Sequence, residues 1–152
     1  MKKVKVLLLS LAIVFLVAYI GSLFTSNNTN SEWYQSIKPA ITPPNFVFPT
    51  AWTIIFVLIA VSLYLVWISA KKKDKQKIAI VFGINFLLNI LWSYLYFSLR
   101  NPLFAFIELI FLWLSIGAMI FITNKVNKTS AYLLLPYLLW VSFAAVLNYL
   151  SI

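Results

Sequence analysis

Side chains that stack and donate hydrogen bonds recur in this sequence at helical spacing. Asn85, Asn89 and Trp92 stand at i, i+4 and i+7, which brings them to one face of a helix. Trp140, Ala144, Leu147 and Asn148 share a second face by the same arithmetic. Trp52 and Phe56 are one turn apart, and Glu108 is an isolated carboxylate in an apolar run. A carboxamide offers two donors and an acceptor, and an indole offers one donor and a flat apolar face. The chemistry open to such a set is recognition of a flat or amphipathic ligand by stacking and hydrogen bonding. Asn85 and Asn89 have an equal claim to a plainer duty, bonds between neighbouring membrane helices at about 0.6–2 kcal/mol each.

The 152 residues include no histidine and no cysteine. That excludes a Ser-His-Asp or Cys-His nucleophile, a zinc or iron-sulfur site, and a histidine or thiolate ligand to haem iron. Hydrophobic residues make 63% of the chain and charged residues 10%, against roughly 25% charged in soluble domains. With a mean hydropathy of +0.96, this composition belongs to a membrane protein. Twelve bases face only Glu32, Asp74 and Glu108, a net charge of +9. The bases are clustered between apolar stretches and do not cover one face of a soluble fold, so nucleic acid is not the expected partner.

The elements that must position these residues are membrane-spanning helices. A hydrocarbon core about 30 Å thick requires about 20 apolar residues. Residues 4–24, 50–70, 78–97, 102–123 and 130–151 meet that requirement, so the expected fold is an all-α, single-domain bundle of five transmembrane helices. Pro136 is expected to kink the last span, because it has no N–H to meet the carbonyl of Tyr132. Lys2, Lys3 and Lys5, the run Lys71, Lys72, Lys73, Lys75 and Lys77, and the pair Lys125 and Lys128 fall on one side, leaving Lys38 and Arg100 opposite. The positive-inside rule then puts the amino terminus in the cytoplasm and the carboxyl terminus outside. A cleaved signal peptide is the rival reading of residues 1–24, opposed by the length of the run and the lack of a small-x-small site. No transit-peptide pattern is visible, so a bacterial cell membrane is the expected location.

Residues 25–49 form the one long connection. Trp33, Tyr34, Pro39, Pro43, Pro44, Phe46, Phe48 and Pro49 make it bulky and stiff, which suits a lid folded over the bundle; an interfacial aromatic belt is the alternative. The indole N–H groups of Trp92, Trp113 and Trp140 lie at depths where lipid supplies no acceptor, so each needs a protein or ligand partner. Glu108 lies about 9 Å inside the outer end of its helix, and an intramembrane carboxylate usually pairs. Arg100 is its expected partner.

Three blocks in these segments carry a resemblance. The first is Trp33-Tyr34, Lys38-Pro39, Pro43-Pro44, Pro49 and Trp52; the second is Leu88-Asn89 with Trp92 and Phe97. The third is Pro136-Tyr137 with Trp140, Phe143-Ala144 and Val146-Leu147-Asn148-Tyr149. In that order the chain resembles the tryptophan-rich sensory protein and translocator protein family, also called peripheral-type benzodiazepine receptors, over nearly its whole length. The resemblance implies five transmembrane helices, a homodimer, and a pocket in the upper bundle capped by the loop between the first two helices. It also implies protoporphyrin-type porphyrins and synthetic benzodiazepine-site compounds as ligands; transport of sterols and transport or breakdown of tetrapyrroles have been attributed to the family.

Carried onto this chain, the resemblance makes Trp52, Trp140 and Phe104 walls for a porphyrin ring. Asn89, Asn148, the Tyr34 hydroxyl or Lys38 would meet its propionates, and Pro44, Phe48, Phe56, Asn85, Trp92, Ala144 and Leu147 would complete the pocket. No cofactor is obligatory. The porphyrin is ligand and photosensitiser at once, and Trp52 and Trp140 are the expected electron donors or oxygen-directing groups in a light-driven breakdown. Transport or sensing of tetrapyrroles without catalysis is the alternative, although no inverted repeat or carboxylate pair marks a secondary transporter. The basic loop 71–77 is the one docking surface a sensor would have. The sterol-contact motif of the animal relatives is incomplete, since Val146, Leu147 and Tyr149 are followed by Leu150-Ser151-Ile152 without a base, and cholesterol is not expected. Phe104 stands where relatives often carry tryptophan, and Glu108 where they often carry aspartate. Ala79 and Gly83, a small-xxx-small pair on the third spanning helix, are the expected dimer face.

Overall fold

The structure, a computed structural model, describes residues 2–152. Its elements are α1 (Lys2–Thr25), α2 (Glu32–Ile37), α3 (Val47–Ser69), α4 (Lys72–Ser93, continued by a π-helical turn, Tyr94–Ser98), α5 (Pro102–Asn124), α6 (Lys128–Tyr132) and α7 (Leu135–Tyr149). Five rods are long and apolar enough to cross a bilayer: α1, α3, α4 with its π turn, α5, and α6 with α7. The chain is an integral membrane protein built as an all-α five-helix bundle.

The helix ends follow local chemistry. Asn101 caps α5 by accepting the Phe104 N–H at 3.0 Å, and Pro102 fills the first turn, where a missing N–H costs nothing. α4 begins within the lysine run rather than after it, with Asp74 in the first turn where a negative charge suits the helix dipole. The last span is broken at Leu133–Leu134, and Pro136 sits in the opening turn of α7. The expected kink is therefore a tightened turn between Tyr132 and Pro136, where the Leu134 N–H reaches the Ala131 carbonyl at 3.1 Å and the proline has no N–H for the Tyr132 carbonyl. α6 is held to α3 by reciprocal bonds, Ser62 Oγ to the Ser130 carbonyl and Ser130 Oγ to the Ser62 carbonyl, both 2.8 Å.

The core runs along the bundle through Val14, Ile59, Phe82, Leu112, Ile116, Met119 and Val141, all buried. Leu87 and Leu139 point outward, as lipid-facing residues do. The start of α1, the α3–α4 turn and the α5–α6 turn gather at one end of the bundle, with the long connection and the α4–α5 turn at the other.

Two departures from an ordinary helix shape that second end. In the π turn the Leu99 N–H reaches the Tyr94 carbonyl at 3.0 Å, an i→i+5 bond, and the wider turn brings both Tyr96 and Phe97 into the interior. Arg100 then takes a positive φ of 50°, uncommon outside glycine, and its guanidinium lies 5.8 Å from the Trp33 ring.

Candidate ligand pocket

The long connection is not a structureless loop. Ser31 caps α2 by accepting the Tyr34 N–H at 3.2 Å, and it donates its own hydroxyl hydrogen to the Asn28 carbonyl at 2.7 Å. The turn of helix aims two aromatic rings at the π segment: Trp33 meets Tyr96 with centroids 5.8 Å apart, and Tyr34 meets Phe97 at 5.7 Å. Asn45 Nδ2 donates to Asn30 Oδ1 at 3.2 Å, tying the two halves of the connection together. The lid reading holds. Burial, and secondarily the nearby Tyr96, pushes the Tyr34 phenol up to about 12, so it remains a neutral hydroxyl at physiological pH.

Beneath this lid lies a cavity of about 610 Å³, within the usual range of about 300–1,000 Å³ for small-molecule sites. Its ring-bearing walls are Phe48, Trp52 and Phe56 on one side and Trp92, Tyr96 and Phe97 on the other. Trp52 stacks on Phe56 at 5.3 Å, and Trp92 on Tyr96 at 5.3 Å. The polar complement is small: Asn89, Asn148, Asn45, the Tyr34 hydroxyl and a few hydroxyls of α1 and the lid. Asn148 Oδ1 accepts the Trp92 indole N–H at 3.0 Å while its Nδ2 donates to the Pro102 carbonyl at 2.8 Å, so its orientation is fixed by α4 and α5. Asn89 donates to the Tyr137 hydroxyl at 3.1 Å, and that hydroxyl donates to Asn85 Oδ1 at 3.1 Å.

The sequence model of the TspO/MBR family matches residues 10–151. The chain belongs to that family. It is 34% identical over 151 residues to the tryptophan-rich protein TspO of Chlorobaculum tepidum, a match covering 97% of this chain and 94% of the relative. It is 37% identical over 144 residues to the protein of the same name from Archaeoglobus fulgidus, covering 94% and 92%. Against the translocator protein of Ovis aries it is 30% identical over 121 residues, covering 78% and 72%.

Of the residues that likeness to the TspO/MBR family suggested for the pocket, Tyr34, Phe48, Trp52, Phe56, Asn89, Trp92, Ala144, Leu147 and Asn148 line the cavity. Four do not. Asn85 is fully buried one turn below Asn89, with its Nδ2 donating to Ser115 Oγ at 2.8 Å; it joins α4 to α5 and α7 instead of facing a ligand. Phe104 is 56% exposed on the outer surface of α5, because the buried face of that helix runs through Ala105, Glu108, Leu109 and Leu112. Trp140 stands behind the wall, edge-on to Trp52 at 6.5 Å and to Phe48 at 6.0 Å. Pro44 is exposed on the lid, where its carbonyl accepts the Val47 N–H as α3 begins.

Two of the three deep indoles find protein partners, Trp92 in Asn148 and Trp113 in Ser142 Oγ at 2.8 Å, whereas the Trp140 indole makes no hydrogen bond among the described residues. The expected Glu108–Arg100 pair is not formed. Glu108 is buried with both carboxylate oxygens unpartnered, while Arg100 points to the lid and Trp33.

α1 was read from sequence as a plain span, yet it supplies a wall of the pocket: Ala18, Gly21, Ser22 and Thr25, with Phe15 and Tyr19 beside them. The signal for it was a run of small and hydroxyl residues at i, i+3, i+4 and i+7. Phe15 and Tyr19 are also 39% and 62% exposed, so the cavity opens sideways toward lipid along α1.

Proposed function

We propose that this protein binds protoporphyrin-type tetrapyrroles in the lidded cavity and promotes their photo-oxidative breakdown. The observation that carries the reading is the composition of the cavity wall. Two stacked aromatic pairs, Trp52 with Phe56 and Trp92 with Tyr96, flank a space with few polar groups. A porphyrin is a broad π surface with two carboxylates; the rings take its faces, and the Asn89 and Asn148 amides and the Tyr34 hydroxyl are the donors for its propionates. Light supplies the energy, dioxygen is the oxidant, and Trp52, the indole at the wall with an aromatic stack behind it, is the transient electron donor. Trp140, edge-on to Trp52 at 6.5 Å, shares the transient hole on that indole until the electron comes back from the dioxygen adduct of the porphyrin, so the net change is addition of dioxygen to the ring. Benzodiazepine-site compounds, flat and poor in charge, suit the same walls.

Lysine distribution supports a cytoplasmic amino terminus, since ten of the twelve bases belong to the end opposite the lid. The lid and pocket then face outward in a bacterial cell membrane.

Purified protein mixed with protoporphyrin should lose tryptophan fluorescence, and illumination in air should bleach the porphyrin faster than detergent alone does. A bleaching rate unchanged by Trp52→Phe removes that indole from the chemistry. The sideways opening beside Phe15 and Tyr19 favours a second reading, exchange of the ligand with the bilayer as a transporter. Rapid porphyrin flux across vesicles in the dark, without bleaching, selects it.

A further inference from the structure

Trp92 and Tyr96 stand one turn apart on α4 and its π turn, and the end of α7 grips both. Asn148 Oδ1 accepts the Trp92 indole N–H at 3.0 Å, and Ser151 Oγ accepts the Tyr96 hydroxyl hydrogen at 2.9 Å. The donors are an i, i+4 pair and the acceptors an i, i+3 pair, so the two bonds form neighbouring rungs between the same helix ends. Asn148 lines the cavity; Ser151 does not. Both Ser151 and Tyr96 are buried. The Ser151 hydroxyl gives its own hydrogen to the Leu147 carbonyl at 2.7 Å, which leaves its oxygen free to accept from the phenol. No other group bonds the Tyr96 hydroxyl among the described residues.

The Tyr96 ring has two duties. It stacks on Trp92 at 5.3 Å as part of the cavity wall, and Trp33 and Tyr34 of the lid meet it edge-on with centroids 5.8 and 6.4 Å away. Its inward aim depends on the π turn, a rare form beside the ordinary helical repeat. Relaxation to that repeat would turn Tyr96 about the helix axis and away from both partners. We infer that Ser151 is a positioning residue for the lidded cavity: by fixing the Tyr96 hydroxyl it holds the π turn, the wall and the lid seat in one arrangement, and so sets how fast a flat ligand leaves. The lid needs such a seat. α2 has six residues, too few to persist as a helix without support, and its aromatic contact with the bundle runs through Tyr96 and Phe97. For ligand exit the inference rests on protoporphyrin binding in this cavity; for lid motion it does not.

The test is hydrogen exchange of the full-length, ligand-free protein in detergent micelles. It is followed at the amides of Gln35 and Lys38, whose bonds to the Ser31 and Tyr34 carbonyls protect them while the lid is docked. Ser151→Ala should raise their exchange about three- to tenfold, the range that one lost bond between membrane helices allows, with the amide of Asn89, below the π turn, unchanged. Ser151→Thr, which keeps the hydroxyl, should keep the parent rate. Tyr96→Phe should match Ser151→Ala, and the double variant should exchange no faster than either alone, because both delete the same bond. Protoporphyrin loaded in the dark should leave Ser151→Ala faster by the same factor, read from the recovery of tryptophan fluorescence. Unchanged lid exchange in Ser151→Ala overturns the proposal. So does a further rise when Ser151→Ala is added to Tyr96→Phe, which would confine the serine to the end of α7 through its Leu147 bond. Faster lid exchange with an unchanged protoporphyrin exit rate overturns the claim on ligand release. Failure of protoporphyrin to bind the parent protein counts against the proposed function instead, and lid exchange then decides the role of Ser151.

Discussion

Replacing Tyr137 by phenylalanine removes a single oxygen from the middle of the bundle and leaves the ring in place. That oxygen accepts from Asn89 Nδ2 and donates to Asn85 Oδ1, both at 3.1 Å, and the residue is 1% exposed. Two bonds between α4 and α7 are lost together. At about 0.6 kcal/mol for an average bond between membrane helices and about 1.7 for the strongest, the pair contributes about 1–3 kcal/mol. Asn85 keeps its bond to Ser115 and Asn89 borders the cavity, so neither amide is wholly orphaned, and a loss near 2 kcal/mol is expected. Reversible unfolding in mixed micelles, followed by tryptophan fluorescence during titration with a denaturing detergent, measures it. A cycle with Asn85→Ala should show a coupling of about 1 kcal/mol, because the two substitutions delete a shared bond. A loss below about 0.5 kcal/mol with no coupling would refute the claim that this network holds α7 to α4. Ligand binding supplies a second check: Asn85→Ala should weaken the fold and spare porphyrin affinity, whereas Asn89→Ala should weaken both.

Further expectations follow from the same geometry. Trp52→Phe and Trp92→Phe should each remove a large part of the fluorescence quenched by porphyrin, Trp140→Phe should remove a smaller part, and Phe104→Ala should leave binding unchanged; titration of each purified variant with porphyrin decides the order. Gly21 borders the cavity, and a Cβ there meets Ser93 Oγ at 3.7 Å, an ordinary contact. Gly21→Ala should therefore fold and bind normally, while Gly21→Leu should fold and lose at least about tenfold in affinity, since its added carbons occupy ligand space. The Tyr34 phenol is raised to about 12 by burial, so its contribution to lid docking is complete below its unfolded value of about 10 and is lost as pH rises through 12. Porphyrin affinity should then show no step from Tyr34 between about pH 7 and 9.5, and a Tyr34-dependent step in that window, absent from Tyr34→Phe, would contradict the burial argument.

The spans and their order were legible because hydrocarbon thickness sets a length that apolar runs either meet or do not. The rotation of each helix was legible only where polar groups marked it. Asn89, Trp92 and Asn148 were legible as inward-facing on that basis, since an amide or indole must turn toward other protein atoms. Phe104 was not, because lipid and core are equally apolar and hydrophobicity does not distinguish the inside of a membrane bundle from its outside. The same blindness hid the α1 wall, where small residues leave space instead of announcing contact. Asn85 and Asn89 lie on one face as their spacing requires, but the cavity ends between them. Spacing identifies a face and does not say how deep a cavity reaches along it. Arg100 and Glu108 illustrate a further limit: both belong to the half of the bundle nearer the lid, yet the left-handed turn at Arg100 directs its side chain over the lid.

The π turn at Tyr94–Ser98 separates the two halves of α4 in register. Below it, Asn85 and Asn89 follow the ordinary helical repeat; above it, one extra residue per turn lets Tyr96 and Phe97, adjacent in sequence, both point inward. A relative that lost or gained one residue there would rotate every side chain beyond the turn while leaving the Tyr137 network untouched. The fold thus carries an adjustable joint between an anchor of hydrogen bonds and the part of the wall that meets both lid and cavity. Ligand preference can diverge through a single insertion without re-engineering the bundle beneath it.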